Sequence, residues 1–275
     1  MGSAAANALV RGGVRVIATV SDRSPRTAEL ADRAGVELVP DLAAVVSQAD
    51  MVVSIVPPEA AETVAADIRD EVHRGTARPL IADLNAIAPS TARRIQMLAA
   101  AVECDFVDGS ISGPPPWKPD TTRLYVSGPR AAEVAALPFE GVDRIVVGDV
   151  VGAASAVKMS TASVYKGTTA VLVQALLAAD KNGVLEHVLA DLRSSAPELV
   201  SRVERRLATA ASKSDRYVAE MREIAASQSA AGLTPALFEA IAEVYSTLAR
   251  TSLGDAKPED VTGDLELRDV LKGLR

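Results

Sequence analysis

Lys158 stands in the first turns of a long apolar helix, where a lysine can give and take a proton. The segment Gly152-Ala153-Ala154-Ser155-Ala156-Val157-Lys158 opens a stretch that runs without proline to about Asn182, and Gly167 is its only later glycine. Val157, Thr161, Val164, Thr168, Val171, Ala175 and Ala178 recur at three- and four-residue steps, the spacing of one helical face. Leu172, Leu176 and Ala179 make a second apolar face, so the helix is expected to be wrapped by protein on most sides. Two roles are open for Lys158. It can lay its stem on the core and carry its ammonium to water, or it can be presented into a cleft as a proton donor and acceptor. In a cleft, desolvation disfavours the charged form and draws the pKa towards neutrality. Tyr165 lies nearly above Lys158, two turns along the same face. Its hydroxyl can touch a substrate or sit at a domain seam.

The elements that must position this lysine precede it. The first half alternates short β-branched runs with amphipathic stretches, the pattern of a mostly parallel sheet with helices on both faces. Strands are expected at 14–20, 36–39, 51–56, 80–84, 102–107, 124–126 and 144–147. Helices are expected between them, one of them starting at Ser24-Pro25 and another at Pro89. After Gly152 no strand pattern remains, and helical patterns run on with breaks near Gly183, Pro197 and Gly232-Leu233-Thr234-Pro235. The expected organisation is an α/β domain over 1–149 and an all-helical domain over 150–275, with a loosely docked polar tail from Leu253.

Composition narrows the classes. The 275 residues carry 48% hydrophobic but only 3% aromatic side chains, so the core is built of Val, Leu, Ile and Ala. A net charge of −7 without a basic tract argues against a nucleic-acid surface. One cysteine, Cys104, read as a small apolar strand residue, fits a reducing cytoplasm. His73 and His187 stand in charged helical contexts with no metal-site spacing. The longest apolar run, 168–179, stops at Asp180 and Lys181, short of a membrane span.

A doubly wound nucleotide-binding sheet opens with a strand, a glycine-rich turn and a helix whose N-terminus meets a pyrophosphate. This chain begins directly on a helix over 4–9. The expectation is a Rossmann-type domain whose first strand and first two loop glycines are missing, with Gly2 as the third glycine, through a late start site or a trimmed chain. After the second strand pattern, Ser21-Asp22-Arg23-Ser24 governs nucleotide choice. An acidic residue there binds a ribose 2′-hydroxyl, as for NAD, whereas Arg23 with Ser21 and Ser24 suits a 2′-phosphate. Asp22 and Ser24 can also cap the following helix.

Four motifs follow in order: Ser54-Ile55-Val56-Pro57-Pro58, Asp83-Leu84-Asn85-Ala86-Ile87-Ala88-Pro89, Asp108-Gly109-Ser110-Ile111-Ser112-Gly113-Pro114, and Gly152 to Lys158. With them, essentially the whole chain resembles the β-hydroxyacid dehydrogenase superfamily. That group includes 3-hydroxyisobutyrate and 6-phosphogluconate dehydrogenases, with imine reductases as relatives. The chain is most similar to a bacterial branch with a 6-phosphogluconate dehydrogenase-like C-terminal domain. The resemblance implies an NAD(P)-dependent oxidoreductase acting on a small hydroxyacid or related carbonyl compound. Lys158 would be the acid/base, Val56 and Pro57 would lie beside the cofactor, and Asn85 near the nicotinamide. Ser112 and Gly113 would hold the substrate carboxylate in a turn. Small neighbours at Ala153, Ala154, Ala156 and Ala162 would let a flat nicotinamide approach.

The family's asparagine three or four residues after the lysine is replaced here by Thr161 or Ala162, which leaves Thr161 and Tyr165 as substrate contacts. Family members with an Arg-Ser pair after the second strand tend to use NADP, so Arg23 and Ser24 favour NADP(H), with NAD(H) the alternative. Imine reductases usually replace the lysine, so Lys158 favours hydroxyacid chemistry. An imine reductase and a non-catalytic cofactor-binding protein remain the other readings. The family pairs its helical domains across a two-fold axis, which implies a homodimer. Trp117 is expected as a lid contact or a loop anchor.

Overall fold

In the computed structural model, which describes residues 1–21, 23–257, 260–261 and 263–275, the chain divides into two compact units, Met1–Met159 and Ser160–Arg275. The first contains α1 (Gly2–Arg11), β1 (Ile17–Ala18), α2 (Pro25–Arg33), β2 (Glu37–Leu38), α3 (Leu42–Gln48), β3 (Met51–Ser54) and α4 (Ala61–Arg74). It continues through β4 (Leu80–Asp83), α5 (Pro89–Ala100), β5 (Phe106–Ser112), β6 (Thr122–Ser127), α6 (Ala131–Ala136) and β7 (Val142–Gly148). The main sheet has the order β3-β4-β5-β6-β7, parallel except for the antiparallel β5–β6 pair. Alternate residues supply its two faces. Val52 and Ile81 pack with Val46, Ile68 and Ile95 from α3, α4 and α5. Leu80, Ala82 and Val107 pack with Ala8, Leu9 and Val134 from α1 and α6. Both faces are covered, as a parallel sheet requires.

β1 and β2 pair in parallel as a separate two-stranded sheet. Among the described strands, none pairs with β3 on the side away from β4. This is the expected doubly wound arrangement without its opening strand. β1 is only two residues long where seven were expected, because a strand with one short partner has little ladder to hold it.

The third motif departs further from expectation. Asp108 to Ser112 form the end of β5 rather than a turn, and the strand begins at Phe106 rather than at residue 102. Gly and Ser are poor strand formers, but five ladder pairs to β6, from Asp108↔Ser127 to Ser112↔Arg123, hold them extended. Cys104 is buried just before β5, in the α4–α5 core, and not in a strand.

α7 (Ala153–Lys181) is a single 29-residue helix that begins in the first unit and continues into the second. The sequence break near Asp149 marks the end of the sheet, while the compact unit runs on through the first two turns of α7. The second unit adds α8 (Leu185–Ser195), α9 (Pro197–Val200), α10 (Val203–Ala211), α11 (Ser214–Ala230), α12 (Ala236–Leu248) and α13 (Leu267–Gly273). Leu172, Val173, Leu176 and Ala179 of α7 are buried. The longer apolar face is not. Val164 is 63% and Val171 60% exposed, so the expectation of a helix wrapped on most sides is corrected. Periodicity reveals apolar faces but not which of them the chain's own helices cover. By length and composition alone α7 could cross a membrane, contrary to the reading of its 168–179 run, and 44% of its most apolar window is buried in the protein. The expected loose tail is also corrected: α13 docks through Val270, Leu271 and Leu274, all buried.

Candidate functional site

The register of the main sheet lines up four polar residues across neighbouring strands. Ser54 pairs with Asp83, Asp83 with Asp108 and Asp108 with Ser127. All four are buried. Such a row is tolerated only if hydrogen bonds replace the lost water, and two sets of bonds do so.

One set binds the first two motifs. The Asn85 amide nitrogen donates to Ser54 Oγ (3.1 Å) and to Asp83 Oδ2 (2.7 Å), and the Asn85 backbone N–H donates to Asp83 Oδ1 (2.9 Å). Asn85 Oδ1 accepts the Val56 N–H at 2.6 Å. Asn85 therefore ties the loop after β3 to the end of β4. Pro57 follows in an extended conformation that leads into a single 3₁₀ turn, Pro58–Ala60.

The other set starts α7. Asp108 Oδ2 accepts from Ser127 Oγ (2.9 Å) and from the backbone N–H groups of Gly152 and Ser155 (both 3.0 Å), while Oδ1 accepts from Ser155 Oγ (2.5 Å). Ser110 Oγ donates to the Ala154 carbonyl at 2.8 Å. A carboxylate at the positive end of a helix satisfies amides that have no partner within the helix. Gly152 can enter this corner because its φ is +100°, and a Cβ there would sit 3.1 Å from Pro89 Cβ. The second and fourth motifs are thus in contact.

Lys158 extends from this anchored helix end. Half-buried, it donates from Nζ to the Ile111 carbonyl at 2.8 Å. The next residues are Ser112, half-buried at the end of β5, and Gly113 with φ +106°. A Cβ at Gly113 would lie 2.4 Å from the Thr121 carbonyl, so only glycine fits. Lys158, Ser112 and Gly113 are therefore neighbours along β5. Thr161 is half-buried and Tyr165 is 66% exposed, both in the second unit.

The remaining candidates lie elsewhere in the first unit. Gly2 opens α1 beside Ile55, at the end of β3. Ser24 is the N-cap of α2, but its hydroxyl pairs with Thr27 Oγ1 at 3.2 Å and takes no helix N–H. Arg23 is exposed and forms no ion pair among the described residues, while Asp22 lies outside them. Trp117 is 40% exposed, and the Arg33 guanidinium stands 5.3 Å over its ring, a cation–π contact that anchors its loop to α2. A cavity of about 650 Å³ in this unit, between Asp120–Arg123 and Pro138–Arg144, holds none of the candidate residues. Among the described residues no group of three His, Cys, Asp or Glu side chains could hold a metal ion.

Ser127 and Ser155 carry no sequence signal of their own, and only the β5–β6 register and the helix start bring them to Asp108. Burial raises the carboxyl pKa values of both Asp108 and Asp83, against the pull of their hydrogen bonds. Asp83 is pushed up to about 7 from an ordinary 3.8, and the Asp108 charge adds to the effect. The folded chain then keeps a proton that the unfolded chain releases. Stability is therefore greatest below about pH 4 for this group, falls as pH rises towards about 7, and is flat above it. Urea unfolding from pH 4 to 8, followed by Trp117 fluorescence, is expected to show this slope, with a total on the order of 4 kcal/mol. An Asp83→Asn variant is expected to lose the part of the slope that Asp83 contributes.

A dinucleotide-binding α/β unit followed by a helical unit is the class that this architecture defines. The profile of the NAD-binding domain of 6-phosphogluconate dehydrogenase matches residues 1–139, and residues 179–248 match a domain of unknown function, DUF1932. The chain belongs to the family of that NAD-binding domain. An uncharacterised 28.5 kDa protein of Methanothermus fervidus is 31% identical over 176 residues, which are 64% of this chain. The match spans 66% of that relative, just under two thirds of its length. A conserved protein of unknown function, described as structurally similar to 3-hydroxyacid dehydrogenases, is 29% identical with a TM-score of 0.67, covering 90% of this chain and 92% of its own. The fold is also that of a Mycobacterium tuberculosis 3-hydroxyisobutyrate dehydrogenase solved with L-serine (21% identity, TM-score 0.69, covering 100% of this chain and 96% of the other). Imine reductases share it at 22% identity or less.

Proposed function

We propose that the protein is an NAD(P)-dependent oxidoreductase that interconverts a small hydroxyacid and its carbonyl partner, with Lys158 as general acid/base. The observation that carries this reading is the convergence of Lys158, Ser112 and Gly113 on one end of β5, held by the Asp108 cap, in a chain of the NAD-binding family. When bound, the nicotinamide cofactor supplies the hydride to the carbonyl carbon. Lys158 Nζ gives the oxygen a proton, and in the reverse direction takes it back. An ammonium has three N–H bonds, so Nζ can hold the Ile111 carbonyl and still face a substrate oxygen. Ser112 and the backbone beside Gly113 hold the substrate carboxylate.

The donor set fits the cofactor. The start of α1 at Gly2 carries no acidic residue in its first turn, so its free amides and positive dipole end suit a pyrophosphate. Val56, Pro57 and Asn85 form a preassembled loop for the nicotinamide side. Exposed Arg23 with Ser24 suits the 2′-phosphate of NADP(H). Equilibrium titration of NADPH and NADH into the intact chain tests this reading. Saturable binding that is tighter for NADPH is expected, with an Arg23→Ser variant losing that preference. No saturation by either cofactor at millimolar concentration would remove the reading.

The exposed Val164 and Val171 of α7 support a homodimer in which the helical units meet. A cytoplasmic location belongs to the same proposal, on the single buried thiol. Imine reduction is the second reading, because imine reductases share the fold.

A further inference from the structure

The second unit has a cavity of its own, about 440 Å³, lined on one side by α10 and on the other by α7. Its chemistry is one-sided. Arg202, the N-cap of α10, is followed by Arg205, Arg206 and Thr209 at steps of three, four and seven residues, so all four face the same way. Among the described residues, none of these arginines has a carboxylate within ion-pairing distance, although the chain as a whole carries a net charge of −7. Among the described residues, no acidic side chain lines the cavity. Buried Glu220, which pairs with the cavity-lining Lys166, is also bound to Arg216.

The floor is fixed in advance. Lys166 Nζ lies 4.1 Å over the Tyr217 ring, Tyr217 meets Tyr245 edge-on at 5.2 Å, and the Tyr245 hydroxyl donates to the Lys166 carbonyl at 2.8 Å. Arg206 is aimed by two bonds, from Nε to Thr169 Oγ1 (3.0 Å) and from its terminal nitrogen to the Leu199 carbonyl (3.3 Å). Arg205 is held by the Gly263 carbonyl at 2.7 Å. Arg202 takes a left-handed backbone conformation, φ +51°, which a side-chain-bearing residue rarely adopts. Guanidinium groups gathered in this way, at the positive end of a helix, lack only an anion.

We infer that this cavity binds a small metabolite with at least two acidic groups, carboxylate or phosphate, through Arg202, Arg205 and Arg206. Its volume suits a small molecule rather than a chain, and fork-shaped donors match both kinds of oxyanion. The inference stands whether or not the nicotinamide reading holds.

The test is calorimetry on the intact chain at low salt with two probes, pyrophosphate and malonate. At least one is expected to bind saturably, and the tighter of the two assigns the acid group. An Arg202→Gln/Arg205→Gln variant, altered at two exposed side chains, is expected to weaken that binding by about tenfold or more. Arg268→Gln, an exposed control on α13 that pairs with Glu186, is expected to leave it unchanged. No saturable binding of either probe would overturn the inference. So would equal weakening by the control, or binding that NADPH displaces and the double variant leaves intact.

Discussion

Replacing Lys158 by alanine is expected to slow carbonyl reduction by about 10²–10⁴-fold while leaving cofactor affinity unchanged. The contrast between the two readouts is informative. A lysine that merely covers apolar surface would lose packing on truncation and would affect both or neither. Lys158 Nζ sits on the Ile111 carbonyl, one residue before the Ser112–Gly113 corner, so its loss removes a proton donor beside the proposed carboxylate site. Lys158→Arg separates charge from proton transfer. Guanidinium keeps the positive charge but does not release its proton near neutral pH, so that variant is expected to bind substrate and remain slow. Single-turnover mixing with saturating NADPH, alongside equilibrium titration of the cofactor, reads both quantities.

Asp108→Ala is expected to destabilise the first unit by about 3–5 kcal/mol, the usual cost of stranding buried donors of a charged acceptor. Four donors lose their partner at once: the Gly152 and Ser155 amides and the Ser127 and Ser155 hydroxyls. None can turn to water, because Asp108, Ser127 and Ser155 are fully buried. Asp108→Asn is expected to cost much less. Its amide oxygen can take the place of Oδ2, which accepts three of the bonds, and its nitrogen can donate to Ser155 Oγ. Urea unfolding followed by Trp117 emission distinguishes the two variants. A loss under 1 kcal/mol for alanine would mean that the start of α7 is held by something else.

α7 was legible from the absence of proline and the apolar spacing after Gly152, and its ends fall where the sequence puts them. The sheet was legible from its β-branched runs. Three features were not legible, for physical reasons. Asp108 to Ser112 read as a turn, because Gly and Ser have low strand propensity and only the non-local pairing with β6 overrides it. The polar row Ser54, Asp83, Asp108 and Ser127 depends on register between strands far apart in the chain, which periodicity does not encode. The docking of α13 rests on three apolar residues in a polar tail, too short a pattern to stand out. Within the site, Lys158, Asn85, Ser112 and Gly113 were visible as motif members. Asn85 could not be seen to hold the Val56 loop, nor Asp108 to cap the helix that carries the lysine.

The most direct measurement is NADPH oxidation by the intact chain, followed by absorbance with a series of small oxo acids and cyclic imines, with Lys158→Ala in parallel. The account predicts turnover of at least one oxo acid by the native chain and its near-complete loss in the variant, with NADPH still bound. Turnover that survives Lys158→Ala, or saturable NADPH binding without turnover of any oxo acid, would contradict it.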